Sequence, residues 1–192
     1  MTDNFTELAF TDSVKEQQEK YGSREAYSRM EQKGAFRNKL TWQEKAFIQN
    51  RDGFYMSSVG ENGWPYMQFR GGPKGFLKVL DEHTLGFPDF RGNGQYISSG
   101  NLKVNPKSVL FLMDYANQQR LKLWTEVEVF YAEERPDLAQ KMEVPDYEAT
   151  VERIFLITVH AFDWNCPQHI TPRYTRDEVA SGLVESGPAV HS

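Results

Sequence analysis

The alternation in RLKLWTEVEVFYA, which begins at Arg120, constrains this chain more than any other feature of its sequence. Leu121, Leu123, Thr125, Val127, Val129 and Tyr131 fall on one face, and Arg120, Lys122, Trp124, Glu126 and Glu128 fall on the other. A period of two sustained over this length is that of a strand with one face buried. FYMSSV (54–59), PYMQFR (65–70), GFLKVL (75–80), TLGF (84–87), SVLFLMD (108–114) and RIFLITVHAF (153–162) supply further strands. Their connections, GENGW, RGGPKG, DEH and NQQ, are short, and short connections join antiparallel neighbours. Asn62-Gly63 reads as a hairpin turn in which both residues take positive φ. The expectation is a mainly β, α+β domain: a six- to seven-stranded antiparallel sheet that closes into a small barrel with helices outside it.

Helix starts are marked where Ser or Thr is followed three residues later by Glu, because side chain and backbone then satisfy each other's hydrogen bonds. Ser13 with Glu16, Thr41 with Glu44, and Thr175 with Glu178 fit this pattern. The first predicts a polar helix interrupted near Gly22 and resuming from Ser23 to about Gln32. The last predicts a helix over about 175–185. At 192 residues, the chain is expected to form one domain, with a helical extension over about 10–35.

Hydrophobic residues make up 39% and aromatics 14%, enough to build a core. The formal charge of −5 argues against nucleic acid as a partner, since nonspecific binding to that polyanion relies on a basic surface. The charge is uneven, however. Between residues 68 and 107, Arg70, Lys74, Lys78, Arg91, Lys103 and Lys107 outnumber Asp81, Glu82 and Asp89, a local excess that suits a small anion. A single cysteine, Cys166, excludes an intrachain disulfide and a cysteine zinc cluster, and the four histidines are scattered, so no metal site is expected. No apolar run approaches the ~18 residues of a membrane helix, and a cytoplasmic location is the expectation.

The stretch FPDFRGNGQYISSGNLKVNP, residues 87–106, is rich in glycine, amides and hydroxyls although it lies between apolar runs. It lacks the third glycine of a dinucleotide turn, and the chain has no GxxxxGK[ST]. Two local readings stand. Asn93-Gly94 could be a plain turn and Ser99-Gly100-Asn101 part of a short helix. Alternatively, Arg70, Lys74 and Lys78 approach Arg91, Ser98, Ser99 and Asn101 across a barrel, and together they offer the cations, hydroxyls and backbone N–H groups that a phosphate monoester requires.

The order FRGGPKGFLKVLDEHTLGFPDFRGNGQYISSGNLKVNPKSVLFLMDY, then RLKLW, then DWNCPQHITPRYT, resembles the pyridoxamine 5'-phosphate oxidase-related split-barrel flavoproteins over about residues 10–180. The resemblance implies a single FMN-binding split β-barrel over 1–192, and a homodimer with FMN at the subunit interface. FMN is implied ahead of FAD, whose inner phosphate the same pocket could accept if the groove is open at one end. By resemblance, Arg70 and Lys78 meet the phosphate with Arg91, Ser98 and Ser99 in support, and Pro88, Asp89, Phe90, Asn93 and Gln95 line the ring or ribityl chain. Trp124 would reach the ring edge or the partner, and Trp164 and Gln168 the partner's flavin. His169 is the candidate general acid. True pyridoxamine phosphate oxidases end in an arginine-bearing segment that this chain lacks, which puts the vitamin substrate in doubt. The expected function is therefore FMN-dependent oxidoreduction of another small molecule, with a non-catalytic flavin-binding, storage or redox-sensing protein as the alternative.

Overall fold

The computed structural model describes residues 5–32 and 37–182. Seven strands form one antiparallel sheet: β1 (Gly53–Val59), β2 (Pro65–Gly71), β3 (Lys78–Val79), β4 (Thr84–Phe90), β5 (Lys107–Asp114), β6 (Gln119–Tyr131) and β7 (Val151–Trp164). Their order is β2-β1-β5-β6-β7-β4-β3, so β2 and β3 are edges and the sheet is not closed by backbone hydrogen bonds. It is a split barrel rather than a fully closed one. Its two ends meet through side chains instead: Phe54 of β1 contacts Phe87 of β4 at 5.3 Å between ring centroids, and Phe76 fills the space between them.

The alternation in β6 places Leu121, Leu123, Thr125 and Val127 inside, where they join Met56, Leu110, Leu112, Ile157 and Phe155 in the core. Seven helices are described: α1 (Phe5–Ala9), α2 (Asp12–Lys20), α3 (Arg24–Gln32), α4 (Trp42–Gln49), α5 (Ile97–Val104), α6 (Pro136–Lys141) and α7 (Arg176–Ala180). Gly22, at φ 77°, separates α2 from α3. The end of the expected C-terminal helix, from residue 183 onward, lies outside the described residues.

Three local expectations are corrected. The cap of α2 is Thr11, not Ser13, because the helix starts earlier and Ser13 bonds sideways to Thr11 Oγ1. The β1–β2 connection has a single left-handed residue, Gly63 at φ 80°, because the loop runs from Gly60 to Trp64 and Asn62 instead accepts the Trp64 N–H through its side chain. GFLKVL contributes only Lys78 and Val79 to the sheet, since Phe76 and Leu77 turn into the core.

The capping boxes at Thr41 and Thr175 are both present. Glu44 also acts beyond its own helix. While one carboxylate oxygen accepts from the Thr41 N–H at 2.9 Å, the other accepts from Trp164 Nε1 at 2.8 Å and so ties α4 to the end of β7. Burial pushes the Glu44 carboxyl up, but the bonds from Thr41 and Trp164 outweigh it and its pKa is lowered. A depressed carboxyl stabilises the fold above its unfolded pKa and loses that contribution as pH falls through the folded one. Glu44→Gln should therefore destabilise the protein by about 1–2 kcal/mol at neutral pH. In urea titrations, the gap from wild type should shrink as pH drops below about 4.

Candidate functional site

On β2 the usual pattern is inverted: Tyr66, Gln68 and Arg70 point inward, while Met67 and Phe69 stand 63% and 57% exposed. The inward set faces β4 and the first turn of α5 across the split. Between them lies a cavity of about 190 Å³, lined by these three residues, by Phe87 to Phe90, by the 92–96 loop, by Ile97, Ser98 and Ser99, and by Arg153 from β7.

Its electrostatic centre is Asp89, which is buried. One carboxylate oxygen accepts from Arg70 Nη1 at 2.6 Å, and the other accepts from Arg153 Nε and Nη2 at 2.9 and 2.6 Å. The strand register explains the meeting. Asp89 pairs with Arg153, and an irregularity at Asp89/Phe90 leaves Glu152 as an extra residue on β7, where it bonds both Arg153 and Arg91. Bulges of this kind re-aim side chains and are frequent beside functional sites. Three guanidiniums thus face two carboxylates, leaving one net positive charge.

Arg70 is the least satisfied member of this cluster. Its guanidinium packs over Phe155 at 5.1 Å, and its Nε is buried with no hydrogen-bond partner. Burial lowers its pKa even though Asp89 raises it, so Asp89 does not fully offset the cost of holding that charge out of water. For Arg153, burial also works against the charge, but the bonds to Asp89 win and the pKa is raised.

Helix α5 opens on the cavity without a side-chain cap. The amides of its first turn have no intrahelical acceptor and carry the positive end of the helix dipole. Ser98 Oγ donates to Gln68 Oε1 at 3.1 Å and pins this turn to β2. Tyr96, just before the helix, sits at φ 53°, which costs a bulky residue about 1–2 kcal/mol. Its ring stacks under Arg153 at 4.6 Å, a contact that offsets part of that strain.

The structure therefore brings Arg70, Pro88, Asp89, Phe90, Asn93, Gln95, Ser98 and Ser99 to one cavity. The other sequence candidates lie elsewhere. Lys78 sits in β3 opposite Gly86 and does not line the cavity. Arg91 is largely exposed and held by Glu152, and Asn101 donates to Ser58 Oγ at 3.0 Å, tying α5 to β1. Trp124 lies on the outer face against Phe5. Trp164 packs edge-on against Phe47 and is bonded to Glu44. Gln168 and His169 are exposed in the loop after β7, with His169 at φ 65°. Arg153, Gln68 and Tyr96 are cavity residues that sequence reasoning missed. The inward polar alternation Tyr66-Gln68-Arg70 carried a signal for Gln68, whereas Arg153 becomes visible only through strand register.

Among the described residues, no group of three or more His, Cys, Asp or Glu could hold a metal ion, and no helix is long and apolar enough to cross a membrane. Asp89→Ala should leave two guanidiniums buried without their carboxylate and destabilise the fold by about 3–5 kcal/mol in denaturant titrations. Arg91→Ala, which removes an exposed partner, should have little effect in the same assay.

No family model matches the chain, and no curated protein matches it significantly. Solved structures do. HupZ of Group A Streptococcus aligns at 16% identity over 70% of this chain and 99% of its own, with a TM-score of 0.51. An FMN-binding protein from Syntrophomonas wolfei aligns at 14% identity over 77% of this chain and 96% of its own, with a TM-score of 0.50. A candidate pyridoxamine 5'-phosphate oxidase from Lactobacillus delbrueckii aligns at 19% identity over 66% of this chain and 94% of its own, again at 0.50. The chain accordingly has the split-barrel fold of the pyridoxamine 5'-phosphate oxidase-like proteins.

Proposed function

We propose that this protein binds FMN through the cavity at the head of α5 and serves as an FMN-dependent oxidoreductase acting on a small molecule. The observation that carries the reading is the convergence of an uncapped helix start, Ser98, Ser99, Arg153 and the under-bonded Arg70 on one small cavity. That donor set fits a phosphate: hydroxyls and amides supply directed bonds and the guanidiniums supply charge. The fold similarity to an FMN-binding protein supports it. At about 190 Å³ the cavity is below the ~300–1,000 Å³ of enclosed ligand sites, so it would hold the phosphate end while the ring lies outside it.

A second copy of the chain would cover that ring. Phe69, Tyr55 and Phe111 stand side by side across the outer face of β2, β1 and β5, next to exposed Met67 and Trp64. Phe69 also lines the cavity, so a protomer seated on this apolar face would complete one wall of the site. When bound, FMN would supply the hydride-transfer chemistry. The residues of the chain would bind and orient it. Because His169 does not line the cavity of its own chain, a role as proton donor would require it to act across the dimer. A non-catalytic flavin carrier is the second reading, favoured by the fact that the cavity's carboxylate, Asp89, is bound by two guanidiniums.

Titration of the apoprotein should quench flavin fluorescence. Arg153→Ala should weaken FMN roughly ten- to a hundred-fold, the worth of a charge-assisted contact, and leave riboflavin nearly unchanged. Equal loss for both flavins would misplace the phosphate. Sedimentation should give twice 22.2 kDa for the wild type, and Phe69→Lys should shift the protein toward 22.2 kDa. Turnover with a flavin-reducing donor would separate the enzyme from the carrier.

A further inference from the structure

We propose that an open groove beside α4 binds a neutral sugar in its pyranose form. The groove has a volume of about 630 Å³ and shares no residue with the 190 Å³ cavity, so neither site depends on the other. Its size is within the ~300–1,000 Å³ of small-molecule sites. Trp42, Ala46 and Asn50 recur every fourth residue along α4 and form one stripe of its wall. Trp42 is 81% exposed, and among the described residues its ring has neither an aromatic nor a cationic neighbour. Ala46, one turn on, adds little bulk beside it. A flat apolar face left bare in this way, at the edge of a polar groove, matches the C–H face of a sugar ring.

The rest of the lining supplies hydrogen bonds for hydroxyls. Arg51 and Asp114 form a fixed base: they pair at 2.8 Å, Arg51 also donates to the carbonyls of Phe47 and Met113, and Asp114 accepts from the backbone and side-chain N–H groups of Asn117. Those bonds leave Asn117 Oδ1 as an acceptor. Asn50 Nδ2 donates to the Ala46 carbonyl at 2.8 Å, which leaves Asn50 Oδ1 as a second. The side-chain amides of Gln43 and Gln119 have no hydrogen-bond partner among the described residues, and each offers both donors and an acceptor. A hydroxyl both donates and accepts, so amides match it better than ions do. Charge points the same way. Arg51 and Lys74 balance Asp114 and Glu178 around the groove, and a lining without net charge selects for neither an anion nor a cation.

The test is NMR titration of the intact, isotope-labelled protein with the methyl glycosides of glucose, galactose and mannose, and with sorbitol as a polyol that lacks a ring face. The signal lost in Trp42→Phe identifies the Trp42 indole N–H. Saturable shifts of that signal and of side-chain amide signals, with a dissociation constant on the order of 1 mM, are expected for at least one glycoside and not for sorbitol. Trp42→Ala and Gln119→Ala, both at exposed positions, should each weaken binding about ten-fold or more with little change in the urea midpoint. Glucuronate, which adds a negative charge to the ring, should bind no more tightly than the glycoside. No saturable shift with any of the three glycosides, equal shifts with sorbitol, or shifts that leave the Trp42 signal in place would overturn the proposal. A preference for glucuronate above about ten-fold would overturn it as well, by making the groove an anion site.

Discussion

Asp89 is held by two guanidiniums that arrive from opposite sides of an unfinished barrel. In the sheet, β2 and β4 are separated by β1, β5, β6 and β7, and no backbone ladder joins them directly. Arg70 comes from β2 and Arg153 from β7, and both end on the carboxylate of β4. The barrel is closed at this point by ions rather than by strands. Such a closure is costly to assemble, because each charge must leave water, and it depends most on Asp89, whose loss would leave two guanidiniums without their shared carboxylate. What it provides is an opening. A continuous ladder between β2 and β4 would occupy the space in which the cavity lies, whereas three side chains bridge the gap and leave room between Gln68, Phe90 and Ser98.

Much else follows from the position of that bridge. Arg153 supports the ring of Tyr96, Tyr96 sets the start of α5, and Ser98 returns the first turn of the helix to Gln68 on β2. The cavity is thus a closed circuit of contacts running from β2 to β4, β7, α5 and back. The outer face of the same β2 carries Met67 and Phe69, and Phe69 lies so close over the backbone that a Cβ at Gly53 would stand 2.4 Å from its ring. One edge strand therefore presents its polar side chains to the cavity and its apolar ones to solvent, which is the opposite of what an isolated domain needs and fits a face that a second copy would cover.

The strands are legible in the sequence where one face is apolar and the other polar, as in β6, and the Thr41 and Thr175 caps are legible because their bonds are local. Much of the cavity is legible as composition, since the loop and helix start at 92–99 are contiguous in the chain. What cannot be read is register. Arg153 reaches Asp89 only because β4 and β7 pair as they do and slip by one residue at Phe90, and no local pattern encodes that slip. Lys78 is the converse case: it shares a segment with glycines and cations, but β3 is only two residues long and Lys78 is not among the residues lining this cavity. The resemblance assigns Trp164 and Trp124 to the flavin or the partner, whereas within one chain the structure gives each a packing partner, Phe47 and Phe5 respectively.

Several residues that make the site are incompletely satisfied by the fold. Arg70 keeps a buried Nε without an acceptor, Tyr96 holds a left-handed backbone that suits glycine better, and the first turn of α5 has amides that no side chain caps. Two of these could be relieved by an ordinary substitution, glycine at 96 or a serine cap on α5. Elsewhere the same chain caps α4 with both halves of its box and fills its core with fully buried Leu, Ile and Phe. Such costs also occur elsewhere among the described residues, as at the unpartnered Arg120 Nε and the left-handed Gln118, but here three of them meet at one small, cation-lined cavity, where one anion would serve as acceptor for Arg70 and for the helix amides together.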